Sequence, residues 1–251
     1  MSKDIKIHQA KIEHSRIKAI LFDVDGTLSD TDDHMVMRIS RVLKPVSFLF
    51  LNRDPARFAR WIVMAIETPS NFIYGVADRL GLDAPISKLV SRFSEGRHEK
   101  AGYAQYFIIH GVQEMLEKLC EHYPLGIVSA RDEASTLRFL DHFELVPYFK
   151  TIVSAQTCKY TKPFPDPIIF AAQQLGVMPE ECLMIGDTVV DVRAGNSAGA
   201  KTVAVLCGFG TQRELERAGA DLILLSTSEI TDILLDGGRA TGITPDENNE
   251  S

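Results

Sequence analysis

The 251-residue sequence has little of what marks several large protein classes. Its four cysteines form no CxxC pair, which disfavours a zinc or dithiol redox site and suits free thiols in a reducing cytosol. No apolar run approaches the roughly 20 residues that a membrane-spanning helix needs, and the N-terminus lacks the apolar core of a signal peptide. We therefore expect a cytoplasmic protein with no membrane partner.

Basic residues are also fewer than acidic ones: the chain has 27 Lys and Arg and 34 Asp and Glu, which gives a net charge of -7. This balance argues against nucleic acid as the partner. A small anionic substrate stays possible, since a site can be locally positive within an acidic protein. With 45% hydrophobic and 24% charged residues, the composition is that of an ordinary globular protein.

Short apolar runs that end in charged or polar residues recur along the chain, and helical patterns lie between them. Continuous apolar strands are typical of parallel sheets covered on both faces. The alternation predicts an α/β fold, a Rossmann-like three-layer core with a parallel sheet. The predicted strands are 17–24, 125–129, 151–154, 182–187, 201–205 and 221–225; the predicted helices are 112–120, 133–143, 167–175, 189–198, 212–218 and 229–235.

One interval, from about 31 to 108, shows helical patterns without a convincing strand. We predict that it forms a separate helical cap domain, inserted where it can cover the end of the first strand. The core then comprises residues 17–30 and 109–236. Residues 1–16 are predicted to be a polar leader and 237–251 a flexible polar tail.

Two carboxylates stand two residues apart where the first strand ends, in Asp23-Val24-Asp25-Gly26-Thr27. Functional sites of parallel α/β sheets lie outside the carboxyl ends of the strands. Aspartate and glycine are also common turn residues, so the motif alone is equally compatible with a solvated turn.

Similar signals follow three later strands. Asp187 ends an apolar strand and Asp191 follows it by one helical turn, although either could be only an acid at a helix N-terminus. Ser129 ends another strand, where an ordinary N-cap is the alternative. Lys162 lies in a stiff loop with three prolines, whereas most lysines are simply solvated.

If these strand ends converge, four carboxylates crowd one pocket and repel each other unless cations neutralise them. Lys162 supplies one positive charge. A divalent cation with oxygen ligands supplies two more, and magnesium commonly binds through one or two carboxylates together with a substrate phosphate. The pattern therefore predicts a metal site for a phosphorylated substrate.

These four segments together resemble the motifs of the haloacid dehalogenase-like hydrolase superfamily, in the same order and spacing. The matching motifs are DVDGT at 23–27, Ser129 after an apolar strand, Lys162 before PFPDP, and GDTVVD at 186–191. The resemblance covers about 17–235 and extends to the phosphoglycolate phosphatase-like group with a helical cap. It implies a strand order of 5-4-1-2-3 with the sixth strand beyond the fifth.

The resemblance also implies a role for each residue. Asp23 is the expected nucleophile that forms an aspartyl-phosphate, and Asp25 the acid that protonates the leaving alcohol and then activates water. Ser129 and Lys162 are expected to contact the phosphoryl group. Further expected substrate contacts come from Thr27, Ala130 and Arg131; the expected Mg²⁺ ligands are Asp23, the backbone carbonyl of Asp25, Asp187 and, as a supporting group, Asp191.

Asp25 favours phosphatases over true dehalogenases, which lack an aspartate there. A sugar-phosphate mutase of the same fold remains an alternative, as does a binding or regulatory protein that has lost the reaction. A nucleotide-binding oxidoreductase is disfavoured, because Gly208-Phe209-Gly210 lacks the third glycine of the dinucleotide fingerprint. The natural substrate and the oligomeric state are left open. Arg92, Arg97, His98 and Lys100 are candidate cap contacts on charge alone.

Overall fold

The structure of the protein is a computed structural model that describes residues 14–30 and 106–235. Its sheet has six parallel strands in the order β3-β2-β1-β4-β5-β6. The order implied by the resemblance is therefore confirmed. The strands are β1 (Ala19–Phe22), β2 (Leu125–Val128), β3 (Phe149–Val153), β4 (Cys182–Gly186), β5 (Lys201–Val205) and β6 (Leu222–Leu224).

Six α-helices connect or follow these strands in the described part of the chain. Three begin and end at the residues that the periodicity predicts, and the others differ by one residue at one or both ends. The helices are α1 (Val112–Cys120), α2 (Glu133–His142), α3 (Asp166–Leu175), α4 (Val189–Ala198), α5 (Gln212–Ala218) and α6 (Ile230–Leu234).

Both faces of the sheet are covered, as the apolar strands predict. Along β1, Ile20 and Phe22 lie in one buried cluster, which also contains residues of α1, α2 and α6. Ala19 and Leu21 lie in a second cluster, with residues of α3 and α4. Successive strand residues point to opposite faces, so this alternation places β1 in the middle layer of three. The α/β, Rossmann-like fold class is confirmed.

The third strand begins earlier than predicted. The sequence interpretation placed it at 151–154, whereas β3 starts at Phe149. The Phe149 ring is buried and packs edge-on against Phe22 at a centroid distance of 6.4 Å. The sequence does not reveal this start, because Lys150 separates Phe149 from the predicted strand and interrupts the apolar run. The contact with Phe22 is tertiary and leaves no local pattern.

The segment predicted as a cap leaves and rejoins the core at adjoining backbone positions. Ser29 and Ile108 form an antiparallel bridge, the amide of Asp30 donates to Phe107 O at 2.9 Å, and that of Ile109 donates to Leu28 O at 3.0 Å. The predicted cap lies outside the described residues except at its last positions, and so do nearly all of the predicted leader and the whole tail. None of the described helices combines the length and apolar character needed to cross a membrane.

Candidate active site

The predicted site residues meet at the carboxyl edge of the sheet. Asp23 follows β1, Ser129 follows β2 and Asp187 follows β4. The sheet hydrogen bonds continue one residue beyond the strands, since the amide of Asp23 donates to Ile185 O and the amide of Ser129 donates to Val153 O, both at 2.9 Å. Because neighbouring parallel strands end at the same edge, residues far apart in sequence share one pocket.

The loop after Asp23 is held by its own backbone. The carbonyl oxygen of Val24 accepts hydrogen bonds from the amides of Thr27, Leu28 and Ser29 at 3.3, 2.9 and 2.8 Å. Gly26 adopts a φ of 66°, in the left-handed region that favours glycine. A solvated turn is excluded as the interpretation of this motif, because Asp23 is only 6% exposed and Thr27 is fully buried.

Lys162 lies between two of the acids. Its Nζ is 2.9 Å from Asp23 Oδ1 and donates a hydrogen bond to Asp191 Oδ1 at 2.5 Å. The lysine is 1% exposed. The two carboxylates raise its pKa against the opposing effect of burial, so the ammonium group stays charged.

Asp191 has a second contact that fixes its position. Its Oδ2 accepts hydrogen bonds from the amide and the hydroxyl of Thr188, at 3.0 and 2.6 Å. Thr188 and Asp191 form the capping box that starts α4. The same carboxylate therefore caps a helix and orients Lys162.

Asp187 lies against a glycine-containing loop. Its Oδ2 accepts from the amide of Phe209 at 2.7 Å, and its carbonyl oxygen accepts from the amide of Gly210 at 3.1 Å. A Cβ at Gly208 would collide with the Asp187 carboxylate, and a Cβ at Gly210 with its carbonyl oxygen. Glycine at both positions thus lets the loop approach the acid.

Three of the acids fit a metal ion. Carboxylate oxygens of Asp23, Asp187 and Asp191 lie within 4.8 Å of one another, and all three residues are buried. When all three acids are ionised, they and Lys162 carry three negative charges and one positive charge, a net charge of −2. A divalent cation would neutralise this set with the oxygen ligands that hard cations prefer. The donor set therefore fits the predicted metal.

Burial and the neighbouring acids both change the pKa of Asp23. Burial raises its pKa from 3.8 to about 7, with Asp191 and Asp25 adding to the rise and Lys162 opposing it. A buried carboxylate is costly unless opposite charge compensates it. A bound cation would supply that compensation.

Asp25 pairs with Arg131 at the rim of the pocket. The arginine Nε donates to Asp25 Oδ2 at 2.6 Å, and its Nη2 donates to Oδ1 of the same carboxylate. The pair is partly exposed, with 14% of the Arg131 side chain and 28% of the Asp25 side chain accessible. The Asp25 carboxylate raises the pKa of Arg131 although burial opposes this.

The remaining predicted contacts lie around this pair. Ser129 is 3% exposed, and its Oγ accepts from the amide of Arg131 at 3.1 Å. It is not a helix cap, because Asp132 caps α2 through the amide of Ser135 at 2.9 Å. Ala130 is exposed between Ser129 and Arg131.

Two residues that support the site gave no signal in the sequence. The hydroxyl of Thr227 donates to the carbonyl oxygen of Thr27 at 2.6 Å, and Cys207 Sγ lies 3.4 Å from the carbonyl oxygen of Gly26. The two contacts join residues that are 200 and 181 positions apart in the chain. Thr188, by contrast, was detectable, since it lies three residues before Asp191 as a capping box requires.

Most of the chain matches a known protein family. A sequence model described as "Haloacid dehalogenase-like hydrolase" matches residues 20–205. The match spans most of the described core and all four motifs.

Curated relatives match over nearly their full length. A pyrophosphatase PpaX from Bacillus cereus is 27% identical over 227 residues, which cover 90% of this chain and 100% of that protein. A phosphoglycolate phosphatase from Nitrosospira multiformis is 29% identical over 230 residues, covering 87% and 96%.

A solved structure has the same fold. A haloacid dehalogenase-like hydrolase from Streptococcus pneumoniae superposes with a TM-score of 0.64 at 24% identity, and the match covers 87% of this chain and 99% of that one.

Proposed function

The chain belongs to the haloacid dehalogenase-like hydrolase family, and from this membership we propose that it is a magnesium-dependent phosphatase. Its proposed substrate is a small phosphorylated metabolite, hydrolysed through an aspartyl-phosphate on Asp23. The observation that carries the proposal is the buried cluster of Asp23, Asp187, Asp191 and Lys162, whose net charge of −2 fits a divalent cation. Relatives named as a pyrophosphatase and a phosphoglycolate phosphatase support the reaction type.

In the first step, a carboxylate oxygen of Asp23 attacks the phosphorus of the substrate. A bond between that oxygen and phosphorus forms as the bond from phosphorus to the leaving oxygen breaks. Asp25, two residues further along the loop, donates a proton to the leaving oxygen, so that an alcohol departs. Forming the covalent intermediate splits one difficult displacement into two easier ones.

In the second step, water attacks the phosphorus of the aspartyl-phosphate. Asp25 accepts the proton that the water loses, and the bond between phosphorus and Asp23 breaks. Inorganic phosphate leaves and the carboxylate of Asp23 is restored. The net reaction consumes one phosphate ester and one water and produces one alcohol and one phosphate.

Neighbouring groups stabilise the transferring phosphoryl group. Lys162, already within 2.9 Å of Asp23 Oδ1, places a permanent positive charge beside the attacked phosphorus. Ser129, the backbone at Ala130, and Thr27 supply hydrogen-bond donors. The Thr27 hydroxyl suits this role, because it is buried and accepts or donates no hydrogen bond among the residues that the structure describes.

Magnesium would be held by the carboxylates of Asp23 and Asp187 and the backbone carbonyl of Asp25, with Asp191 in support. When bound, the ion offsets negative charge on the carboxylates and the phosphoryl oxygens. We also propose that residues 31–108 form the cap, which would limit access of water to the site. Asp30, just before this segment, bonds to Phe107 near its end, and both lie beside the loop that carries Asp25.

The proposal is tested by measuring phosphate release from p-nitrophenyl phosphate with the full-length protein. We expect turnover that depends on Mg²⁺, is abolished by EDTA and is restored by added Mg²⁺. Asp23→Asn, which keeps the size of the side chain but cannot attack phosphorus as a carboxylate, should be inactive. Metal-independent turnover, or an unimpaired Asp23→Asn protein, would contradict the proposal.

A parallel measurement of products with a sugar phosphate as the substrate separates the two alternatives. A sugar-phosphate mutase would move the phosphoryl group from one sugar hydroxyl to another and release little free phosphate. A binding protein that has lost the reaction would show neither product. Free phosphate in stoichiometric amounts with the released alcohol identifies the phosphatase.

A further inference from the structure

Arg131 presents a fixed guanidinium group at the entrance to the site. Its backbone amide donates to Ser129 Oγ at 3.1 Å, and its carbonyl oxygen accepts from the amide of Ala155 at 2.9 Å. Its Cζ lies 5.5 Å from the centroid of the Phe139 ring, which is itself fully buried. Backbone and side chain are therefore both oriented before any substrate binds.

This guanidinium already binds a carboxylate in two-point geometry. Its Nε and Nη2 contact the two oxygens of Asp25, which is the arrangement by which arginine recognises carboxylates and phosphates. Asp25 thus shows the kind of ligand that this edge of Arg131 accepts. A second anionic group on a substrate would present the same pair of oxygens.

The contact between Arg131 and Asp25 places this edge beside the proposed reaction. Arg131 follows Ser129 by two residues, and Asp25, its present partner, is two residues from Asp23. A leaving group that extends from the phosphorus towards Asp25 therefore reaches Arg131 next. The Arg131 side chain is 14% exposed and that of its partner Asp25 is 28% exposed, so a bound molecule can approach the pair from the pocket rim.

We propose that Arg131 is a specificity-determining residue that binds a second anionic group, a carboxylate or another phosphate, on the leaving portion of the substrate. This inference rests on the proposed phosphatase activity. Because one guanidinium edge binds one oxygen pair, the anionic group of the substrate replaces Asp25 on Arg131. The exchange releases the Asp25 side chain next to the leaving oxygen. A neutral leaving group offers Arg131 no replacement for Asp25, so its turnover depends on spontaneous opening of the Asp25–Arg131 pair and is slower.

The test compares substrates that differ only in that charge. One pair is 2-phosphoglycolate and its neutral amide. For the phosphate arm, 1,3-propanediol bisphosphate is compared with propyl phosphate, whose leaving group is neutral. With wild-type protein and saturating Mg²⁺, kcat/KM should favour at least one charged substrate over its reference by about ten- to a hundredfold, the effect of a charge-assisted hydrogen-bonded pair.

Three variants make the readout specific. Arg131→Gln should bring the ratio of charged to neutral substrate close to one, whereas Arg131→Lys, which keeps the charge but loses the fork, should retain part of it. Arg138→Gln removes an exposed arginine from α2, the helix that follows Arg131 in the chain, and should leave the ratio unchanged.

The outcomes separate the inference from the proposed function. A preference confined to the carboxylate or to the phosphate arm supports it and identifies the anionic group. Equal loss for charged and neutral substrates in Arg131→Gln would overturn it, because Arg131 would then act only through Asp25. No charge preference in the wild type would also overturn it, while Mg²⁺-dependent hydrolysis of p-nitrophenyl phosphate would still uphold the phosphatase.

Discussion

The side-chain nitrogen of Lys162 lies 2.9 Å from Oδ1 of Asp23, and each side chain is less than one tenth exposed. The same nitrogen is 2.5 Å from Oδ1 of Asp191. One buried cation thus balances two buried acids that approach it from β1 and α4. Since unpaired charge inside a protein is costly, this contact links the stability of the core to the chemistry of the pocket.

Replacing Lys162 with Met should destabilise the protein strongly. The substitution leaves Asp23 and Asp191 buried without their shared cation, and breaking a buried pair typically costs about 3–5 kcal/mol. Urea unfolding measures the change. Lys201→Met is the matched control, because the Lys201–Asp221 pair is 2.8 Å apart but the lysine is 49% exposed. The control should cost less than about 1 kcal/mol, and equal costs would contradict the role of Lys162.

Asp23→Asn should abolish hydrolysis yet stabilise the metal-free protein at alkaline pH. The pKa of Asp23 is raised from 3.8 to about 7 by burial, so the folded state holds a proton that the unfolded state releases. The stability that this proton contributes is complete below pH 3.8 and is lost as pH rises through 7. Asparagine carries no charge to bury.

Thermal unfolding in EDTA provides the measurement for this prediction. At pH 8 the variant should exceed wild type by on the order of 1 kcal/mol or more, an increase in Tm of about 2–4 °C per kcal/mol. The difference in stability between the variant and the wild type should narrow as the pH falls towards 5. Added Mg²⁺ should also narrow it, because ligand binding stabilises the wild type more. A gap that widens on acidification would contradict the burial of a charged Asp23.

Gly208→Ala should weaken metal binding. The added methyl group would collide with the carboxylate of Asp187, a proposed metal ligand. Disturbing the groups that orient a metal ligand typically lowers metal affinity by about 10–100-fold. Isothermal titration with Mg²⁺ gives the affinity. Gly176→Ala is the control, since its φ of 70° makes a side chain strained but nothing lies within 4 Å of its Cβ. It should lower stability by about 1–2 kcal/mol without changing the affinity.

Thr227→Val should lower turnover, because it disturbs the loop that follows Asp23, the proposed nucleophile. The valine removes the hydroxyl that donates to Thr27 O at 2.6 Å and leaves a buried carbonyl oxygen without this donor. The expected loss of stability is about 1–3 kcal/mol. Thr227→Ser keeps the hydroxyl and should behave like wild type in both unfolding and kcat. A valine variant with unchanged kcat would show that this hydrogen bond does not position the loop.

The strands and most helix boundaries could be predicted because local patterns determine them. Apolar runs ending in Asp23, Ser129 and Asp187 marked both the strands and the residues at their ends. Parallel pairing then brings such ends to one edge, whatever their separation in sequence. Phe149 was missed because its contact with Phe22 is tertiary, and the residues beside it conceal the pattern.

Which side chains of the site bind each other was much harder to predict than which residues belong to the site. The residues Asp25 and Arg131 were both assigned to the site, yet nothing in the sequence indicated that they bind each other across 106 residues. Asp191 was expected near the metal, and its hydrogen bond to Lys162 was not foreseen. Such pairs depend on how helices pack on the sheet, which periodicity does not determine. Catalytic roles and the division into core and cap stay predictions.

The antiparallel bridge between Ser29 and Ile108 has a consequence for how this architecture can change. Among the described residues, two backbone hydrogen bonds join the points where the polypeptide leaves and re-enters the core, from Asp30 to Phe107 and from Ile109 to Leu28, and Asp25 lies in the adjoining loop. The entropy of closing a loop grows only slowly with its length, by about 0.6 kcal/mol per doubling, so the connection from β1 to β2 can accept segments of different length at this point. If residues 31–108 form the proposed cap, exchange of that segment would alter substrate range without altering the residues proposed to carry the reaction.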